Sequence, residues 1–343
     1  MKALRRFKRE PRAAAVQDIE TPSPGPGEVL LKVAYCGICG SDLHAYLNHA
    51  GYESVLPEVT LGHECAARVV ECGPGVEDWA AGQAAVLIAV QGCLECARCL
   101  SGLPQLCSNR RVQGLHLDGG MAEYVVVDQH YLLPLPENLE LMSAALTEPL
   151  SVAHHCVADC SSIQAGHRVV VTGPGIIGML SAIVARHVGA EVIVCGAAND
   201  ETVRLPVARK LGFETLTVGP NHPPLYEQLG APADVLVEAS GSPIALAEAW
   251  KSVRPAGQVA VVAIYGFNVD LDITQFIRKQ IDLRTTYGSA PPNYIAALDL
   301  LKANVIPVNE LVKVYPLTEG IQGFKDSEQQ AVMKPLLDCA QEG

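Results

Sequence analysis

The run Arg168-Val169-Val170-Val171-Thr172-Gly173-Pro174-Gly175-Ile176-Ile177-Gly178 restricts this chain more than any other segment. A strand of buried type ends in a glycine turn, and a helical pattern follows from Met179 to His187. Glu191-Val192-Ile193-Val194-Cys195 then supplies a second strand. A glycine pattern alone is weak evidence, but strand, turn, helix and strand in this order make a βαβ unit. Its strands must be parallel, because a helical crossover joins them. Gly173, Gly175 and Gly178 stand where a pyrophosphate approaches backbone N–H groups, and Ile176 and Ile177 open the helix behind them.

Alternation continues downstream. Asp234 to Glu238 reads as a strand, Pro243 to Val253 as a helix and Pro255-Ala256-Gly257 as a turn, with further strands at Gln258 to Ile264 and Asp282 to Tyr287. This predicts an α/β unit, a doubly wound parallel sheet, over about 150–290. A helix from Tyr294 to Ala303 and short mixed elements follow. That tail is too short for a core of its own and is expected to pack on the N-terminal part.

In such units an acid commonly ends the second strand and holds the ribose hydroxyls of NAD. Here Cys195-Gly196-Ala197-Ala198 occupies that place. Without a carboxylate there, a 2′-phosphate is acceptable and Arg204 is its candidate partner. Asp200 and Glu201 are the alternative ribose contacts, so NAD and NADP both stay open.

The N-terminal part has another texture. From Val16 to about Val90, short apolar runs are broken by Pro and Gly, as in all-β structure. Val29 to Tyr35 reads as a strand running into Gly37-Ile38-Cys39-Gly40-Ser41-Asp42-Leu43-His44. Gly37 and Gly40 permit a sharp turn, and Ser41 or Asp42 caps a short helix. Cys36, three residues before Cys39, makes a Cys-x-x-Cys redox pair the competing reading. His63 and Glu64, in Leu61-Gly62-His63-Glu64, lie too far from Cys39 for a local finger and suit a metal site closed by tertiary folding. Glu148 is an acid in an apolar stretch at the domain boundary; the bland alternative is a charge favoured at a helix N-terminus. Cys93, Cys96, Cys99 and Cys107 can surround one tetrahedral ion as thiolates. Structural zinc is the preferred reading, with disulfides or an iron–sulfur cluster as competitors.

The 343 residues suit two domains, and 49% hydrophobic against 18% charged residues describes a well-cored protein. A net charge of −12 speaks against a nucleic-acid partner. No apolar run reaches membrane-spanning length and no signal peptide is evident, so a soluble, cytoplasmic protein is expected. In that compartment, twelve cysteines argue for metal before disulfides.

Together these motifs resemble the zinc-dependent medium-chain alcohol dehydrogenases, and within them the sorbitol and threonine dehydrogenase branch. The resemblance covers nearly the whole chain, through Gly-Ile-Cys-Gly-Ser-Asp-x-His, Gly-His-Glu, the four-Cys lobe and the glycine loop in that order. It implies a GroES-like, mainly β catalytic domain over 1–149 and 291–343, with the zinc lobe at about 93–107, and a Rossmann domain over 150–290. It implies a catalytic zinc on Cys39 and His63, with Glu64 as a third ligand or close neighbour and Glu148 as a ligand or a partner of zinc-bound water. Ser41 would take the substrate proton, His44 would pass it on, and Asp42 would hold His63. Cys93, Cys96, Cys99 and Cys107 would hold structural zinc. Gly173, Gly175, Ile176, Ile177, Gly178, Gly196 and Arg204 would contact NAD or NADP. The substrate implied is a small secondary alcohol, either a polyol, a cyclitol or an amino alcohol, with Ala45 to Tyr52 lining its pocket; relatives are dimers or tetramers. Ala67 and the pair Gln83-Ala84 depart from the family pattern. The competing functions are a zinc-free medium-chain reductase of enones or quinones, and a non-enzymatic nucleotide-binding protein on this fold.

Overall fold

A computed structural model describes residues 1–340. They divide into two units, one of Met1–Pro149 with the chain from Ser289 onward, the other of Leu150–Gly288.

In the second unit six strands form one parallel sheet. Its order is Glu214–Val218, Glu191–Ala197, Arg168–Thr172, Ala233–Glu238, Val253–Val261, Asp282–Thr285. The earliest strand therefore lies inside the sheet, and the order reverses beside it, as in dinucleotide-binding folds. Val169, Val170 and Val171 are fully buried, which explains their unbroken apolar run. The Glu214–Val218 strand escaped the sequence reading. Glu214, Thr215 and Thr217 alternate with Leu216 and Val218 in a run that never becomes continuously apolar.

The first unit is built on a seven-stranded sheet with Glu28–Gly37 at its centre. That strand pairs antiparallel with Glu64–Cys72, with Tyr124–Asp128 and with Lys334–Asp338. The tail thus completes the N-terminal sheet. Its core includes Leu31, Val33, Leu61, Val69, Phe324 and Leu337. Tyr46, read as pocket lining, belongs to this core, with its ring centroid 4.8 Å from that of Phe324.

Candidate metal centre and cofactor loop

The register of two strands assembles the buried site. Gly37 lies opposite Glu64, and the chain then turns through Cys39 into the helix Gly40–Tyr46. A Cβ on Gly37 would lie 1.9 Å from Glu64 Oε2, so glycine is required there by the carboxylate's approach rather than by the turn. Cys39 itself is the N-cap, and Asp42 caps from the third helical position, its Oδ2 accepting from Cys39 N–H at 2.9 Å. Asp42 Oδ1 accepts from Gly62 N–H at 3.2 Å and stands 3.5 Å from His63 Nδ1. One fully buried carboxylate therefore ties together the two turns that carry Cys39 and His63.

Cys39, His63 and Glu64 each offer an atom within 4.8 Å of the others. Glu64 Oε1 is buried with no hydrogen-bond partner, the state of a carboxylate oxygen shaped for a cation. Asp42 stands on the Nδ1 side of His63, and Nε2 on the other side lies 3.3 Å from Ser41 Oγ. Burial alone would depress the His63 imidazole, but Asp42 and then Cys39 outweigh it and raise its pKa well above 6.5. A thiolate, an imidazole and a carboxylate in one buried pocket fit zinc.

Glu148 stands outside that triplet, on the helix Thr147–His154, yet feels it. Burial first, then the charge of Glu64, raise its pKa to about 7 against the opposing pull of His63. Lys334 is the residue that sequence reasoning missed. Its ammonium is fully buried, ion-paired with Glu64 Oε2, and donates to the Ile38 carbonyl at 2.8 Å. Burial would lower its pKa, but the Glu64 charge raises it above 10.5. The signal in the sequence is slight: a lysine leading Pro335-Leu336-Leu337, a five-residue strand with a proline in it.

Cys36 does not pair with Cys39. Its sulfur lies 3.2 Å from that of Cys65 on the neighbouring strand, both buried. His44 is stacked on Tyr52, with ring centroids 5.2 Å apart, and its Nδ1 is 2.8 Å from Nδ1 of His49. Ser41 and His44 share one helix face, being three residues apart.

The second metal-capable group is local. The sulfurs of Cys93 and Cys99, Cys96 and Cys99, and Cys96 and Cys107 are 3.9, 3.6 and 3.8 Å apart. Zinc–sulfur bonds of about 2.3 Å give a tetrahedron with edges of about 3.8 Å, so the four thiols fit the ion. Donation from the Cys99 backbone lowers the Cys96 thiol to about 6, and burial pushes Cys99 up to about 11. These two groups of three or more metal-binding side chains are the ones found among the described residues.

In the second unit the glycine turn follows the central strand. Gly173 has φ +88°, and a Cβ there would lie 2.4 Å from Ser240 Cα. Gly175 caps the helix Ile176–Val188, which presents its first N–H groups at the turn. Gly178 packs on the Gly173 carbonyl and Gly196 on Pro174 and Asp200, so both are closed to side chains. This cradle fits a pyrophosphate. Asp200 Oδ2 accepts from Ala197 N–H at 2.9 Å, while its Oδ1 holds Arg204 Nη1 at 3.3 Å. Glu201 is engaged by Arg209 and Thr217. A buried Glu238, bonded by Tyr265 and by the Ser240 backbone at 2.9 Å, lies one strand over.

The family described as Alcohol dehydrogenase GroES-like domain matches residues 25–137, and that described as Zinc-binding dehydrogenase matches 177–303. A sorbitol dehydrogenase of Halalkalibacterium halodurans is 36% identical, covering 98% of this chain and 99% of the relative. A D-arabitol-phosphate dehydrogenase of Enterococcus avium is 30% identical over 94% and 92% of the two chains. Among solved structures, a zinc-binding dehydrogenase of Sinorhizobium meliloti bound to NADP has a TM-score of 0.89 at 29% identity, covering 98% of each chain. The 2R,3R-butanediol dehydrogenase of Bacillus subtilis has a TM-score of 0.87 at 29% identity, over 98% and 99%.

Proposed function

Because the chain belongs to the zinc-dependent medium-chain alcohol dehydrogenases, NAD(P)-dependent enzymes, we propose that it oxidises a secondary alcohol of a polyol at Cys39, His63 and Glu64. The observation that carries this reading is the convergence of those three ligand atoms in a buried pocket with the Ser41 hydroxyl beside His63. The polyol is favoured by the names of the relatives, sorbitol and D-arabitol-phosphate dehydrogenase. When bound, zinc supplies Lewis acidity at the alcohol oxygen and NAD or NADP accepts a hydride.

The chain's own residues do the rest. Ser41 accepts the hydroxyl proton and His44 receives it one helical turn on, with His49 as its outlet to the exposed surface. Asp42 orients His63 through the Nδ1 face, the role an outer carboxylate plays toward a ligating imidazole. Glu148 stands by as a further ligand or proton holder, and the buried Lys334 ammonium pairs with Glu64. Cys93, Cys96, Cys99 and Cys107 hold the structural ion. Gly173, Gly175, Ile176, Ile177 and Gly178 receive the pyrophosphate, and Gly196 and Arg204 border the ribose. Arg204 is already paired with Asp200, which favours NAD over a 2′-phosphate.

Among the described residues no helix is long and apolar enough to cross a membrane. A cytoplasmic location belongs to this proposal, as does a homo-oligomer. Among the described residues the Asp282–Thr285 strand is the edge of its sheet, near exposed Ile273 and Ile277, the kind of edge that a second copy covers. The test is an oxidation screen of polyols, simple secondary alcohols and threonine, with NAD and NADP in parallel, read by nicotinamide absorbance. Polyol turnover with NAD is expected; reduction of enones with no alcohol oxidation would overturn the reading.

A further inference from the structure

A cluster of nucleophile, base and acid lies in the second unit, away from the glycine turn. The chain forms a π-helical turn at His155–Asp159, and Cys160 N–H donates to the His155 carbonyl five residues back at 3.1 Å. In a helix of that width residues i and i+5 stand above one another, whereas an α-helix would part them. Cys160 Sγ therefore meets His155 Nε2 at 3.5 Å, while His155 Nδ1 bonds Asp159 Oδ2 at 2.8 Å. A thiol touching an imidazole that a carboxylate orients is the arrangement of an activated nucleophile.

The surroundings keep that geometry in place. Gln258 Nε2 donates to the Cys160 carbonyl at 3.3 Å and its Oε1 accepts from Ser162 N–H at 2.6 Å. The His155 side chain is 11% exposed and that of Asp159 50%, with Cys160 partly open, so a small reagent reaches the sulfur. The other ionisable groups nearby are His154 and Cys156 on the same helix and Asp282, held by Gln258 at 2.8 Å. Cys156 is fully buried and its thiol is pushed up to about 12 by burial, so it is inert. Gln258 pairs with Asp282, the first residue of its strand, whereas the glycine turn follows the last residue of its own. In a parallel sheet those are opposite ends, so this cluster is not part of the cofactor cradle.

We propose that Cys160, His155 and Asp159 form a thiol oxidation site, at which a small hydroperoxide converts Cys160 to a sulfenic acid. The sulfur attacks the terminal peroxide oxygen; an S–O bond forms as the O–O bond breaks, and two electrons pass from sulfur to the peroxide. The thiol proton moves through His155 to the departing oxygen, which leaves as water or an alcohol. Two equivalents of a small thiol restore Cys160, giving their disulfide and water. The hydrogen bond from Cys160 and then that from Asp159 raise His155 to about 8 despite its burial, consistent with an imidazole that holds this proton.

The experiment treats the zinc-loaded protein with hydrogen peroxide and a 1,3-dione trap and locates adducts by peptide mass spectrometry. Cys160 is expected to be trapped first, about tenfold faster in the native protein than in the urea-unfolded chain, a comparison that needs no variant. His155→Gln is expected to slow trapping by about tenfold or more. Cys160→Ser should lose the adduct and keep alcohol turnover. Native trapping no faster than unfolded, or a rate unchanged in His155→Gln, would overturn the proposal.

Discussion

The two metal-capable clusters of the first unit are built in opposite ways. The Cys93–Cys107 lobe takes all four donors from one loop, and three of its cysteines are partly exposed. The Cys39 centre takes its donors from two turns and the first residue of a strand, is flanked by Asp42 and Lys334, and buries His63 and Glu64 while Cys39 stays partly exposed. Four thiolates fill a tetrahedron and leave no position for a substrate. Three mixed ligands would leave one open, and the Ser41 hydroxyl lies 3.3 Å from His63 Nε2. The local cluster is suited to order a loop, the assembled one to do chemistry.

The comparison breaks if the buried centre tolerates loss of its charge balance. Lys334→Met leaves the Glu64 carboxylate buried without its partner, which costs about 3–5 kcal/mol in the metal-free protein. Urea unfolding of chelator-treated protein measures this, and Glu64→Gln on top of Lys334→Met should recover most of it. A loss confined to the surface-pair range of about 0–1 kcal/mol would mean the pair is not truly buried. Asp42→Asn tests the outer support. Metal affinity or turnover should fall about 10–100-fold, read by zinc titration and kcat/KM, while the four-Cys lobe keeps its ion.

A further effect expected at the buried centre is one of pH. Glu148 has its carboxyl raised from 4.5 to about 7 in the fold, chiefly by burial. A raised carboxyl contributes stability that is fully present below pH 4.5 and is lost as pH rises through about 7. Metal-free wild type should therefore lose melting temperature relative to Glu148→Gln across that window. Parallel curves for the two proteins would contradict the assignment of Glu148 to this pocket.

The same contrast governs what could be read in the sequence. Four cysteines within one loop announce themselves by spacing, and so does a strand–glycine–helix–strand run. Cys39, His63 and Glu64 were legible because the turn motifs around them resemble a family; their approach rests on strand register, with Gly37 opposite Glu64. Lys334 was not legible, since it reaches Ile38 from 296 residues away in a short strand that carries Pro335 at its second position. Tyr46 was misplaced into the pocket because a short helix has two faces and its sequence does not say which one the core takes.

Zinc counted per chain, alongside turnover, in wild type, Cys39→Ser and Cys96→Ser tests the division of roles most directly. The account predicts two zinc ions in the wild type and one in Cys39→Ser, which keeps the lobe filled but has no turnover. Cys96→Ser should lose the lobe's ion and melt lower, yet retain activity at low temperature. Full turnover in Cys39→Ser, or loss of both ions in that variant, would contradict it.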